Sequence, residues 1–278
     1  MRRKGHPAQG DFVISAADSI SLEETRWIET EGARLFSAAW TPPTGGEGAP
    51  IVLFHDSLGC VALWRSFPAR LAAATGRRVI AYDRLGFGRS DPRPGRLEFD
   101  FIAQEGRTVL PLLASTYGFD EFVACGHSVG GGMAVETSGA FPDMCRATVT
   151  IAAQAFVEPR TLDGIRVAQR EFSDPANMER LARYHGGKAP WVADAWIGTW
   201  LSPAFAHWTL DEALGRLRCP VLAIHGDQDE YGSQAHAHRI ADGRGSVRIL
   251  AGTGHVPHRE CEELLSAVIA RFLQDGCP

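Results

Sequence analysis

Ser128 lies in the run Gly126-His127-Ser128-Val129-Gly130, a serine between two glycines at G-x-S-x-G spacing. That spacing suits a sharp strand-to-helix turn that holds a hydroxyl clear of the chain as a nucleophile. The flanking glycines relieve the crowding such a turn creates, and the start of the following helix brings backbone N–H groups beside the hydroxyl. A serine hydroxyl is a weak nucleophile at neutral pH, so covalent chemistry requires a base to take its proton and a third group to orient that base. Two runs in the last third of the chain carry such groups: His225-Gly226-Asp227-Gln228-Asp229-Glu230 and Gly252-Thr253-Gly254-His255-Val256-Pro257-His258. His255 is the candidate base, with Asp227 and Asp229 as candidate carboxylates. His127, inside the turn, is expected to shape it, and His258, after Pro257, to take a surface or capping role at the last helix. His225, His236 and His238 lack the spacing with acidic residues that a metal needs, so they read as structural or solvated and no metal site is expected.

Such groups work only if strand ends bring them together. The run 122–125 reads as a buried strand entering the Ser128 turn, and 131–137 opens a helical pattern after it. Two early segments, 20–30 and 33–41, read as an antiparallel pair ending at Thr41-Pro42-Pro43 and the loop 44–48. Apolar strands at 51–54, 79–82, 122–125, 148–152, 221–224 and 247–250 then alternate with helical patterns near 61–74, 99–117, 130–141, 233–241 and 258–274. Strands that are apolar throughout and separated by helices predict an α/β fold, a mostly parallel eight-stranded sheet covered on both faces. From 153 to 217 the alternation stops, with helical patterns at 160–172, 175–185 and 190–200. This segment is expected to be a helical cap inserted into a core of 1–152 and 218–278, over the carboxyl edge of the sheet where ligands bind. Its tryptophans, Trp191, Trp196, Trp200 and Trp208, are expected chiefly to pack the cap onto the core. Trp191, Trp196 and Trp200, with Leu58, are also the candidate substrate contacts.

The chain has 278 residues, 45% of them hydrophobic and 22% charged, with a net charge of −5. That composition supports a large core and excludes disorder, and it gives no electrostatic reason to expect nucleic acid as a partner. A small-molecule substrate is expected instead, with a homodimer left open. Cysteines 60, 125, 145, 219, 261 and 277 lie far apart with no C-x-x-C spacing, as expected of reduced, mostly buried thiols. The basic start Met1-Arg2-Arg3-Lys4 is followed by no apolar stretch of the kind an export signal needs, and no apolar run approaches the ~20 residues of a membrane span. The expected location is the cytoplasm, away from membranes.

Further motifs extend the pattern. Tyr82-Asp83-Arg84-Leu85-Gly86-Phe87-Gly88-Arg89-Ser90 is similar to a D-x-x-G-x-G-x-S loop, and Gly226-x-x-Asp229 and Gly254-His255 follow in order. With these motifs the chain resembles an α/β-hydrolase-fold enzyme over nearly its whole length. The resemblance implies that Ser128 is the nucleophile, His255 the general base and then general acid, and Asp229, at the G-x-x-D position, the orienting carboxylate rather than Asp227. It also implies two backbone donors for an oxyanion. One is the N–H of Val129; the other is the N–H of Ser57, with Leu58 the adjacent alternative, in the loop His55-Asp56-Ser57-Leu58-Gly59. Relatives usually have glycine where Asp56 stands, so Asp56 either brings a carboxylate to the site or serves as an exposed turn residue.

The activity implied is that of a serine hydrolase acting on a small carboxylic ester or lactone through an acyl-enzyme, with no cofactor. Asp56-Ser57-Leu58-Gly59 followed by Leu63-Trp64 is similar to the N-S-L-G and M-W stretch of 3-oxoadipate enol-lactonases, which favours a lactone. The same groups suit hydrolases that cleave carbon–carbon bonds in meta-cleavage products, and a non-catalytic binding protein on this fold is a third reading. A haloalkane dehalogenase is disfavoured, because that chemistry places an aspartate where Ser128 stands.

Overall fold

In the computed structural model, which describes residues 22–43 and 45–276, the early segments pair as β1 (Leu22–Thr30) and β2 (Ala33–Thr41). The basic N-terminus, residues 20–21, Thr44 and Cys277 lie outside the described residues. The apolar runs form β3 (Ile51–Phe54), β4 (Val79–Tyr82), β5 (Phe122–His127), β6 (Cys145–Ile151), β7 (Val221–Gly226) and β8 (Gly245–Leu250). Together they make the expected eight-stranded sheet, in the order β1-β2-β4-β3-β5-β6-β7-β8. The β1–β2 and β2–β4 pairs are antiparallel and every later pair is parallel. Strands β3, β4, β5 and β7 are buried from end to end, which is why they read as continuous rather than alternating apolar runs.

Helices α1 (Phe67–Thr75) and α10 (Glu262–Gly276) pack on one face of the sheet, and α2 (Phe101–Tyr117) and α3 (Val129–Ala140) on the other. The expected helix at 61–74 is instead a 3-10 turn, Val61–Trp64, followed by α1. Arg65, at φ 54°, breaks the run, and Pro68 sits in the first turn of α1, where its missing N–H costs nothing. The expected helix at 258–274 likewise divides, into α9 (Pro257–Glu260) and α10, at Cys261, whose φ of −146° and ψ of 51° are not helical. Cys60, Cys125 and Cys145 are buried thiols, and Cys219 and Cys261 are partly exposed ones.

Between β6 and β7 lie α4 (Pro159–Glu171), α5 (Pro175–His185), α6 (Ala189–Trp200) and α7 (Asp211–Arg216). The two ends of this stretch are drawn together by a bridge between Phe156 and Thr209, reinforced by the Leu210 N–H donating to the Ala155 carbonyl at 2.8 Å. From there α7 packs on α3 and returns the chain to the start of β7, and α8 (Ala235–Ala241), at the expected 233–241 helix, joins β7 to β8. Helices α4–α6 stay over the loops that follow the strands. Thr161 donates to the Tyr231 carbonyl, Arg160 to that of Asp229, and Lys188 to those of Gly88 and Ser90. Among the described residues no helix is long and apolar enough to cross a membrane.

Candidate active site

Strand β5 turns directly into α3 at Ser128, whose φ of 55° and ψ of −127° lie where a side chain is strained. The turn is held by the Ser128 N–H donating to the Ile151 carbonyl and the Gly131 N–H to that of Ser128, each at 2.9 Å. Only glycine fits beside it. A Cβ on residue 126 would stand 2.0 Å from the Gly130 carbonyl oxygen, and one on residue 130 would stand 2.1 Å from that of Phe54. The sequence spacing is thus a packing requirement, and it delivers the hydroxyl to the end of the sheet.

Two loops at neighbouring strand ends meet that hydroxyl. His255 Nε2 lies 3.1 Å from Ser128 Oγ, and its Nδ1 lies 3.0 and 2.9 Å from the two carboxylate oxygens of Asp229. Asp229 is in turn fixed by the Tyr231 and Gly232 N–H groups, at 2.7 and 3.0 Å, and by His225 Nε2 at 3.2 Å. Burial alone would discourage charge on His255. The Asp229 hydrogen bond and charge outweigh it, so its pKa is raised above 6.5. Burial would likewise push Asp229 up, but His255 and His225 hold it below the ordinary carboxylate value. Asp227 serves elsewhere, accepting from the Gly252 and Thr253 N–H groups at 2.7 and 3.3 Å.

The loop after β3 completes the floor of the site. The N–H groups of Ser57 and Val129 have no acceptor among the described residues, whereas that of Leu58 is taken by Asp56 Oδ1 at 2.9 Å. Leu58 is therefore not the spare donor, and its side chain lines the cavity instead. Asp56 is not an idle turn residue: its other oxygen faces His127 Nδ1 at 3.4 Å, and His127 Nε2 donates to the His255 carbonyl at 2.7 Å. Against the upward push of burial, His127 and the Leu58 N–H hold Asp56 well below the usual carboxylate range. One chain of contacts thus ties the loop after β3 to the loop carrying His255. His258 corrects the expectation of a surface role, since it is buried with its ring 4.7 Å from those of Trp64 and His127. His225 and His236 are buried, the latter 3.0 Å from Glu158, and His238 is exposed. No group of side chains suited to a metal occurs among the described residues.

Above these groups is a cavity of about 350 Å³ lined by Ser128, His255, Asp56, Ser57 and Leu58 from below and by Trp196 and Trp200 from α6. Trp191 does not reach it. Its Nε1 donates to the Gly95 carbonyl at 2.7 Å and its ring packs 5.5 Å from that of Phe87, so it packs against the loop 84–95 and is not among the cavity's lining residues, contrary to the expected substrate contact. Trp208 stacks on Phe205 and is structural, as expected. Sequence reading missed Gln154, 3.4 Å from Ser128 Oγ, and Tyr231, whose ring lies 4.9 Å from that of His255. It also missed Asn177, Arg180, Leu181 and Tyr184 on α5, whose i, i+3, i+4, i+7 spacing marks one helix face and could have flagged them.

The family model described as the alpha/beta hydrolase family matches residues 51–268. The monoacylglycerol lipase of Mycolicibacterium smegmatis is 27% identical over 277 residues, covering 89% of this chain and 95% of its own. The 2-hydroxymuconate semialdehyde hydrolase of Pseudomonas sp. strain CF600 is 24% identical, covering 83% and 89%. Among solved structures, the enol-lactonase from Burkholderia xenovorans LB400 is similar in fold, with a TM-score of 0.70 at 18% identity over 90% of this chain and 100% of that one.

Proposed function

The chain belongs to the alpha/beta hydrolase family, and from that premise we propose that it hydrolyses a small carboxylic ester or lactone through an acyl-enzyme formed on Ser128. The observation that carries this reading is the 3.1 Å approach of His255 Nε2 to the hydroxyl of a serine held at φ 55°. His255 takes the hydroxyl proton as Ser128 attacks the carbonyl carbon, with Asp229 holding the imidazole in the useful tautomer. The tetrahedral oxyanion is received by the N–H groups of Ser57 and Val129, each such donor being worth about 3 kcal/mol of barrier. Collapse expels the alcohol, which leaves with the proton from His255. Water deprotonated by the same imidazole then releases the acid and restores Ser128. Helices α4–α6, within the 153–217 insertion, act as a cap that selects the acyl group. The cavity volume of about 350 Å³ and its lining, with Leu58, Trp196 and Trp200 beside the polar Asn177 and Arg180 of α5, fit a compact acyl group.

Carbon–carbon hydrolysis is the second reading, favoured by the relative named 2-hydroxymuconate semialdehyde hydrolase. Purified protein assayed on an aryl ester, an enol-lactone and a vinylogous diketone separates the two. Turnover of the ester or lactone, lost in Ser128→Ala together with fluorophosphonate labelling, is the expected result. Turnover of the diketone alone moves the assignment to the second reading, and undiminished ester turnover by Ser128→Ala overturns the acyl-enzyme.

A further inference from the structure

Behind the loop 55–59 sits a buried cation that the reaction just described leaves unused. Arg84, two residues after β4, is only 2% exposed. Its guanidinium makes no ion pair among the described residues. Nη2 donates to the Asp56 carbonyl oxygen at 3.0 Å, Nε approaches His55 Nε2 at 3.4 Å, and the group lies 4.0 Å from the centre of the Phe87 ring. Glu105 and Asp56 act on it through space. Burying a guanidinium without a bonded carboxylate is costly, and a neutral donor would satisfy a carbonyl at less expense. The position of the charge therefore calls for a use.

The carbonyl that Arg84 grips belongs to the peptide joining Asp56 to Ser57, the peptide whose N–H is the Ser57 oxyanion donor. The same oxygen receives His55 Nδ1–H at 2.8 Å and the Gly59 N–H at 3.1 Å. His55 can be that donor because its Nε2 accepts the Arg84 backbone N–H at 3.1 Å, which fixes the neutral Nδ1–H tautomer. Burial, with the Arg84 charge beside it, pushes the His55 pKa well down and keeps the ring neutral. In a trans peptide the C=O and N–H point opposite ways. Three donors on the Asp56 oxygen thus aim the Ser57 N–H away from Arg84, and Ser57 lines the cavity beside Ser128. Donors at the carbonyl end polarise an amide and strengthen its N–H, a charged donor most of all. The same cation offsets the Asp56 carboxylate, which shares the cavity wall with Ser57.

We propose that Arg84 is a positioning residue for the oxyanion site, its guanidinium acting through the Asp56–Ser57 peptide to orient and strengthen the Ser57 N–H as negative charge builds on the substrate oxygen. No proton leaves Arg84. The inference rests on the acyl-enzyme reading above. The test compares wild type, Arg84→Lys, Arg84→Gln and Arg84→Met in the full chain. It measures kcat and KM on an aryl ester, affinity for a trifluoromethyl ketone whose adduct with Ser128 carries an oxyanion, and the thermal midpoint. Loss of the cation is expected to lower kcat about tenfold or more while KM stays within about twofold, with ketone affinity falling in parallel. Arg84→Lys should keep more of kcat than Arg84→Gln. Unchanged kcat, a loss confined to KM, or unchanged ketone affinity overturns the inference. Should Arg84→Met fail to fold, equal kcat for the Lys and Gln variants overturns it. Hydrolysis that survives Ser128→Ala removes both the acyl-enzyme and this inference. Hydrolysis that depends on Ser128 but not on Arg84 removes this inference alone.

Discussion

The floor and the roof of the cavity are built on different principles. In the floor, Ser128, His255, Asp229, Asp56 and His127 form one continuous set of hydrogen bonds, drawn from loops that a buried parallel sheet holds in register. In the roof, α4–α6 bring aromatic and aliphatic side chains interspersed with the polar Thr161, Glu171, Asn177 and Arg180, and among the described residues none of their polar groups bonds the side chain of Ser128, His255 or Asp229. The roof is nevertheless fastened: His185 accepts the Gly88 N–H at 2.8 Å and donates to the Leu58 carbonyl at 3.0 Å. If the chain acts as proposed, the contrast separates reactivity, which depends on directional bonds of fixed length, from selectivity, which depends on the shape of the cavity walls.

Substitutions can break or sharpen that division. The largest effect is expected in the floor, where Asp229→Asn should lower kcat ~10⁴-fold with little change in KM, because the imidazole loses the partner that sets its tautomer. Steady-state kinetics on an aryl ester check it. The pH profile comes next. His255 must be neutral to act as base, so activity should rise with pH through a midpoint above 6.5, falling about tenfold per unit on the acid side. Asp229→Asn removes the interactions that raise this pKa and leaves burial, which lowers it; the residual activity should therefore show its acid limb at lower pH. An unshifted limb would detach His255 from the limb or Asp229 from His255. In the roof, Trp196→Ala should shift the butyrate-to-acetate ratio of kcat/KM by about tenfold while leaving kcat on the acetate ester nearly intact. A comparable loss on both esters would mean that roof and floor are not separable. The smallest catalytic effect belongs to Trp191→Ala, expected to cost about 2 kcal/mol of stability, since its ring is part-buried, without changing acyl preference. Thermal unfolding and the same ester ratio decide it.

Much of the floor was legible because each part carries a local signature: apolar runs for buried strands, G-x-S-x-G for a turn with no room for a Cβ, and loops rich in histidine and aspartate at strand ends. The roof was legible as helices and not as a wall. Whether a tryptophan faces substrate depends on which side of its helix meets the cavity, and that is settled by packing between elements distant in sequence. Part of the answer was nonetheless within reach. Trp196 and Trp200 are four apart on α6 and share a face, whereas Trp191 stands about 140° around the helix from Trp196. His258 illustrates the same limit of local sequence. Its position at the start of a short helix reads as exposed, but Trp64 and His127, far away in the chain, close over it. The role of Asp56 could not be read locally either, since its partner His127 is 71 residues away.

The bridge between Phe156 and Thr209 pins both feet of the roof to one spot on the rim. A graft spliced between those feet, longer or shorter than the native stretch, begins and ends over nearly the same span, and doubling its length adds only about 0.6 kcal/mol of closure entropy. Ser128, Asp229 and His255 all lie outside the spliced part. If the roof selects the substrate as proposed, selectivity and reactivity can be inherited separately, and the junctions such a transplant must rebuild include the handhold that His185 gives the Leu58 carbonyl and the bonds of Arg160, Thr161 and Lys188 to the carbonyls of Asp229, Tyr231, Gly88 and Ser90.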